Sequence, residues 1–126
     1  MGGDILDIAL FVPFIEGDIW IERLINSVHY KLRIDEFNDI KSLLEMIRQK
    51  PYHAIIVAFE NIEAIVIVKK VREVCQEMPL ILISDIRPLG ISVYRDDETA
   101  YIDKDAFDTQ IQNILEEYKE HRRIIN

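Results

Sequence analysis

The chain alternates between short, nearly continuous apolar runs and longer stretches in which apolar residues recur every three or four positions. The runs lie at residues 5–12, interrupted by Asp7, around 53–60 and at 79–84, and are built mainly from Ile, Leu, Val, Ala and Phe. Runs of this length and composition predict strands buried on both faces, as in the interior of a parallel sheet. Pro13 closes the first run and Pro51 precedes the second. Leu32 and Ile34 alternate with Arg33 and Asp35, which predicts a shorter, half-exposed strand, and residues 99–102 predict a last one. Helical spacing fills the intervals. Ile15, Ile19, Leu24, Ile25 and Val28 form one predicted face, with Asp18 as its cap; Ile40, Leu43, Leu44 and Ile47 form a second, capped by Asn38 and ended by Lys50 and Pro51. Ala64, Ile67, Val68, Val71 and Cys75 form a third face after Asn61, blurred by Ile65, Val66 and Val74. The closing segment carries Phe107, Ile111, Ile114, Leu115 and Tyr118, with acids in its first turn and cations in its last, as the helix dipole favours.

Strictly alternating strands and helices predict an α/β fold with a doubly wound parallel sheet. Five strands suit the flavodoxin-like order 2-1-3-4-5, with residues 1–126 as a single domain. One connection breaks the rhythm. Residues 85–98 contain Pro88 and Gly90 and show no helical period, so the fourth helix is expected to be short or missing. Leu89, Ile91, Val93 and Tyr94 within this stretch are a candidate interface, with Arg87, Arg95 and Asp96 as a polar rim. The competing reading is that they fold back and plug the core.

Composition narrows the classes. With 126 residues and a formal charge of -8, the chain is an unsuitable partner for nucleic acid or an anionic membrane, both of which need clustered Lys and Arg. Cys75 is alone and can form no internal disulfide; it is expected to be a buried structural thiol. No apolar run is long enough to span a bilayer and no basic region precedes the first one, so a cytoplasmic location is expected. His29, His53 and His121 lack ligand spacing, and the glycines form no phosphate-cradling loop. The sequence therefore predicts no metal, no cofactor and no enzymatic activity, since no nucleophile–base pair is evident.

Several short motifs resemble those of response regulator receiver (CheY-like) domains across essentially the whole chain. Pro79-Leu-Ile-Leu-Ile-Ser84 is similar to a receiver fourth strand ending in Ser or Thr, and Tyr101-Ile-Asp-Lys104 to the aromatic and Lys of the fifth. Phe107 stands where the last helix begins. The resemblance implies that Ser84 and Lys104 contact a phosphoryl group and that Tyr101 is the switch aromatic. It also shows three departures. Ala58 occupies the phosphoacceptor Asp position, Pro13 and Phe14 occupy that of the Mg²⁺-binding acidic pair, and Asp105 replaces the Pro that follows the Lys. Phosphoryl transfer requires carboxylate oxygens around a hard cation, so the expectation is a degenerate pseudo-receiver.

The expected function is a non-catalytic signalling or adaptor module that is not phosphorylated and binds another signalling protein. The alternative is a small-molecule or anion sensor using the cleft near Ser84 and Lys104. The competing reading pairs Lys104 with Glu60 or Asp85 to hold loops together, and Glu60 either stands in for the missing acid or begins a solvated loop. Trp20 reads either as core-rim packing or as an interface anchor. The resemblance implies pairing through the face made by the fourth helix, fifth strand and last helix, and the mixed charges of the last helix, from Glu116 to Arg123, suit a weak homodimer there.

Overall fold

The computed structural model describes residues 5–12, 17–58, 63–84 and 99–125. Its five strands are β1 (Ile5–Phe11), β2 (Lys31–Phe37), β3 (Ala54–Ala58), β4 (Leu80–Ser84) and β5 (Thr99–Asp103). The helices described are α1 (Gly17–Ser27), α2 (Ile40–Gln49), α3 (Glu63–Val74) and α4 (Phe107–Ile125), the last preceded by a 3-10 turn at Lys104–Ala106. All strand pairings are parallel and the order is β2-β1-β3-β4-β5, the doubly wound arrangement the alternation predicts. The slot of the expected short or missing helix, 85–98, lies outside the described residues, as do Asn61 and the candidate interface residues Leu89, Ile91, Val93 and Tyr94.

Side chains alternate across a strand, so each strand feeds two separate core layers. On one face Leu6, Ile8, Leu10 and Val12 of β1 and its end meet Ala54, Ile56 and Ala58 of β3, Ile81 and Ile83 of β4 and Ile102 of β5, under α1 and α4. On the other, Ala9 and Phe11 meet Ile55, Val57, Leu80 and Leu82 under α2 and α3. All five residues of β3 are buried, and each large one stabilises the fold by about 1.5–3 kcal/mol. At the edge, β2 is half-exposed throughout, as its alternating sequence predicts.

Three local expectations are corrected. The predicted α1 face included Ile19 and Ile25, yet these are 59% and 54% exposed. The buried row is Trp20 and Leu24 with Val28 just beyond the helix, spaced four apart, and Ile15 lies outside the described residues. Trp20 is thereby a core residue, 4% exposed, with its ring edge-to-face on Phe107 at 5.3 Å. For α2 the cap is Asp39 rather than Asn38: its carboxylate accepts the Ser42 N–H at 2.8 Å and the Ser42 hydroxyl at 3.0 Å. An ionised acceptor at a helix N-terminus is favoured over an amide by the dipole, and the backbone N–H bond from Ser42 holds the Asp39 carboxyl below its ordinary range. Cys75 is half-buried rather than buried: it lies just past the end of α3 at Val74, at the rim of the α2/α3 core layer.

Candidate functional site at the two ends of the sheet

The expected site lies where the strands end. Ala58 closes β3 and is 4% exposed; it pairs with Ile83 of β4, whose last residue, Ser84, pairs with Asp103 of β5. Lys104 follows at once in the 3-10 turn. The fold thus brings Ala58, Ser84 and Lys104 to the carboxyl ends of three adjacent strands, the edge at which doubly wound sheets bind ligands. Pro13, Phe14, Glu60 and Asp85 lie outside the described residues. On the side of the sheet that Ala58 faces, Val12 and Ile83 belong to the same core layer and are buried and apolar. Tyr101 projects into the α2/α3 layer and is partly buried there.

Lys104 is fixed from below by α1. Arg23 Nη2 donates to the Lys104 carbonyl at 3.0 Å, and its guanidinium lies over the Trp20 ring at 4.6 Å and the Phe107 ring at 5.3 Å. The same side chain reaches Asp108 at 3.3 Å, which also accepts the Ser27 hydroxyl. Further along α4, Gln112 accepts the His29 N–H and Glu116 accepts the Tyr30 hydroxyl. Asp108, Gln112 and Glu116 recur every four residues, so one row of α4 seals the end of α1 and the turn into β2.

Sequence reasoning missed a second polar constellation on the α2 side of β1 and β2. Tyr52 is fully buried and donates its hydroxyl to Asp35 Oδ2 at 2.6 Å, and Lys50 Nζ donates to the same oxygen at 2.9 Å. Lys50 also lies 3.6 Å from Asp7, which faces Arg33 Nε at 2.9 Å. The Tyr52 and Lys50 hydrogen bonds hold the Asp35 carboxyl below its ordinary range. Burial, then the bond to Asp35, pushes the Tyr52 hydroxyl well above its ordinary value, while the bond to Asp35 raises Lys50. The His53 backbone N–H donates to the Asp7 carbonyl at 2.8 Å, and the Asp7 N–H donates to His53 Nδ1 at 3.0 Å, so Nδ1 carries no hydrogen. The signal was a lone acid in the otherwise apolar run 5–12, since a mostly buried carboxylate needs cations near it.

Among the described residues no group of three or more His, Cys, Asp or Glu could hold a metal ion, and no helix is long and apolar enough to cross a membrane. The two-layered sheet in this order, with these helices, is the fold of response regulator receiver (CheY-like) domains. The chain is similar to the signal receiver domain of an HD domain-containing protein from Pseudomonas fluorescens Pf-5, with a TM-score of 0.71 and 15% identity over 95% of this chain and 98% of that one. It is also similar to the receiver domain of a sensor histidine kinase from Pseudomonas aeruginosa PAO1, solved with a magnesium ion in its active site cleft, with a TM-score of 0.69 and 16% identity over 91% and 98%. A looser likeness, TM-score 0.51 and 17% identity over 88% and 96%, is to an atypical orphan response regulator described as having a phosphorylation-independent regulatory mechanism. No protein-family model and no curated protein sequence matches the chain.

Proposed function

We propose that the chain is a pseudo-receiver: a signalling or adaptor module that takes no phosphoryl group and works in the cytoplasm by contact with another signalling protein. Ala58 carries this reading. It is the last residue of β3, it is buried, and its methyl group offers no oxygen to attack a phosphoryl donor. Val12 and Ile83, which share its core layer, are apolar and supply no carboxylate to hold the Mg²⁺ that such a transfer needs. The likeness to a regulator with a phosphorylation-independent mechanism adds support. The residues read as the contact surface are Leu89, Ile91, Val93 and Tyr94, apolar side chains bracketed by Arg87 and Arg95.

The test is incubation with acetyl phosphate and Mg²⁺ followed by intact mass. The expected result is an unchanged mass at a donor concentration that fully labels an active receiver. A stoichiometric phosphoryl adduct overturns the reading, and peptide mapping would then name the acceptor.

A further inference from the structure

In the sheet order β2-β1-β3-β4-β5, β2 pairs with β1 and with no other described strand. It is seven residues long, carries no Pro or Gly, and matches β1 residue for residue from Ile5↔Lys31 to Phe11↔Phe37. Its inner ladder is identifiable, because the Val12 N–H donates to the Phe37 carbonyl at 3.0 Å. In a parallel strand the N–H and C=O of one residue point to the same side and alternate along the chain. Residues 31, 33, 35 and 37 thus face β1, and Leu32, Ile34 and Glu36 present their backbone groups on the open edge. An edge of this length without a protecting Pro or bulge is a template for another strand.

We propose that β2 is a self-pairing surface: two copies of the chain join antiparallel along it, about a two-fold axis at Ile34. Charge selects both the partner and the register. A two-fold perpendicular to the sheet keeps each side chain on its own face, so the axis must pass through a residue. Centred on Arg33 it sets two arginines opposite each other, and centred on Asp35 it sets two aspartates; like charges directly opposite are destabilising. Centred on Ile34, Arg33 meets Asp35 of the second copy, twice, and Lys31 meets Phe37, whose ring can lie under the ammonium. The other face then pairs Ile34 with itself and Leu32 with the stem of Glu36. Arg33 and Asp35 would sit in a pair without backbone bonds between them, where side chains approach most closely. Each keeps capacity for the new contact: among the described residues, Arg33 Nη1 and Asp35 Oδ1 take no hydrogen bond while their other atoms hold Asp7, Lys50 and Tyr52.

Net charge favours the same partner. The chain carries -8 overall, yet the strand has two cations, Lys31 and Arg33, against two acids, Asp35 and Glu36, and so is neutral. It is a place where two acidic molecules can meet without local repulsion. The three outward residues of each copy would exchange about six backbone hydrogen bonds and make one continuous sheet. This surface lies at the edge opposite β5, so it is separate from the α4 face where the charges of the last helix predict a homodimer.

The test uses complementary charge reversal, read by sedimentation of the full chain. Arg33→Glu alone sets a new carboxylate against Asp35 of its mate, and Asp35→Arg alone sets Arg33 against a second guanidinium. Each should weaken self-association by about tenfold or more, as two pairs turn from attractive to repulsive. Mixed in equal amounts, the two variants have only attractive pairs across the axis, and association should return to within about threefold of the parent. A merely structural role for either residue cannot produce that rescue. Asp35 also holds Tyr52, so a second measurement guards against misfolding. In a Cys75→Ser background, Ile34→Cys should cross-link to itself on mild oxidation, because paired residues at the axis lie about 5.5 Å apart, within disulfide reach. Glu45→Cys on the exposed side of α2 serves as the control and should not. A parent chain that stays monomeric at high concentration, or an Ile34→Cys variant that cross-links no faster than the control, overturns the proposal and leaves the edge to an extended segment of another protein or to water.

Discussion

On the α2 side of β1 and β2, Asp7, Arg33, Asp35, Lys50 and Tyr52 form one connected polar network. At the carboxyl ends of β1, β3 and β4, the described side chains of Phe11, Val12, Val57, Ala58 and Ile83 are apolar and buried. Doubly wound sheets bind and react at their carboxyl ends. In this chain the Asp35 network lies away from that end, in contacts that tie an edge strand and a helix terminus to the core. The difference teaches that a perturbed ionisable group marks a function only when it lies where a ligand can reach it. Tyr52 has the strongly raised hydroxyl here, and it is fully buried with its oxygen already committed to Asp35.

The harshest way to break the contrast is to put charge where it is missing. Ala58→Asp would place a carboxylate on a residue now 4% exposed, among apolar neighbours. The expected cost is about 2–3 kcal/mol at neutral pH. Burial raises the pKa of such an acid, so the deficit should be full above that raised value and shrink as pH falls and the folded protein takes up the proton. Urea titrations of parent and variant at pH 7 and pH 5 measure both. A variant as stable as its parent at pH 7 would show a polar or cationic environment at the end of β3 and weaken the pseudo-receiver reading.

Taking polarity away from the other region should cost less. Tyr52→Phe keeps the ring in the core and removes only the hydroxyl bond to Asp35, which Lys50 still holds; about 1 kcal/mol is expected. The sharper readout is alkaline. With the folded pKa above the ordinary value of 10.0, the folded state keeps its proton while the unfolded chain loses it. Stability therefore falls as pH rises past about 10. Melting temperatures between pH 9 and pH 11 should drop for the parent and drop less for Tyr52→Phe; parallel curves would refute the assignment. Asp35 has the opposite sign. Its lowered carboxyl stabilises the fold above its ordinary value of 3.8, and that contribution is lost as pH falls through the folded value. The side chain is 36% exposed, so solvent screening holds this to under about 1 kcal/mol.

How far the sequence could be read follows the same division. Layered strands were legible because β3 and β4 are buried on both faces and their apolar runs have no competing helical period. The face of α1 was not. Ile19 and Ile25 are as apolar as the residues that are buried, and only packing of Trp20 on Phe107 of α4, far along the chain, fixes which side turns inward. Asn38 and Asp39 are both good caps, and the choice between them depends on the backbone at the end of β2. The positions of Ala58, Ser84 and Lys104 were legible because strand ends follow from strand limits. The network around Asp35 was not, because Asp35 meets Lys50 and Tyr52 only after β2 and α2 have folded against β1, and no local period records that.

The smallest expected effect tests the outermost link of the network. Arg33 is 66% exposed at its side chain while Asp7, its partner at 2.9 Å, is 13% exposed. In Arg33→Gln, Asp7 would keep Lys50 at 3.6 Å as a cation, so the carboxylate would not be abandoned. Because Arg33 is mostly solvated and Lys50 remains as a cation, the loss should stay within about 1 kcal/mol. The Debye length falls to about 3 Å in 1 M salt, so the difference from the parent should vanish there. Dilute samples keep this measurement independent of self-pairing along β2. Melting curves at 20 µM in low salt and in 1 M NaCl, with about the same small gap closing to zero, would place Arg33 at the periphery. A gap of several degrees that persists in 1 M salt would mean that Arg33, not Lys50, keeps Asp7 tolerable inside the fold, and that the edge strand is held to β1 by that contact as well as by its ladder.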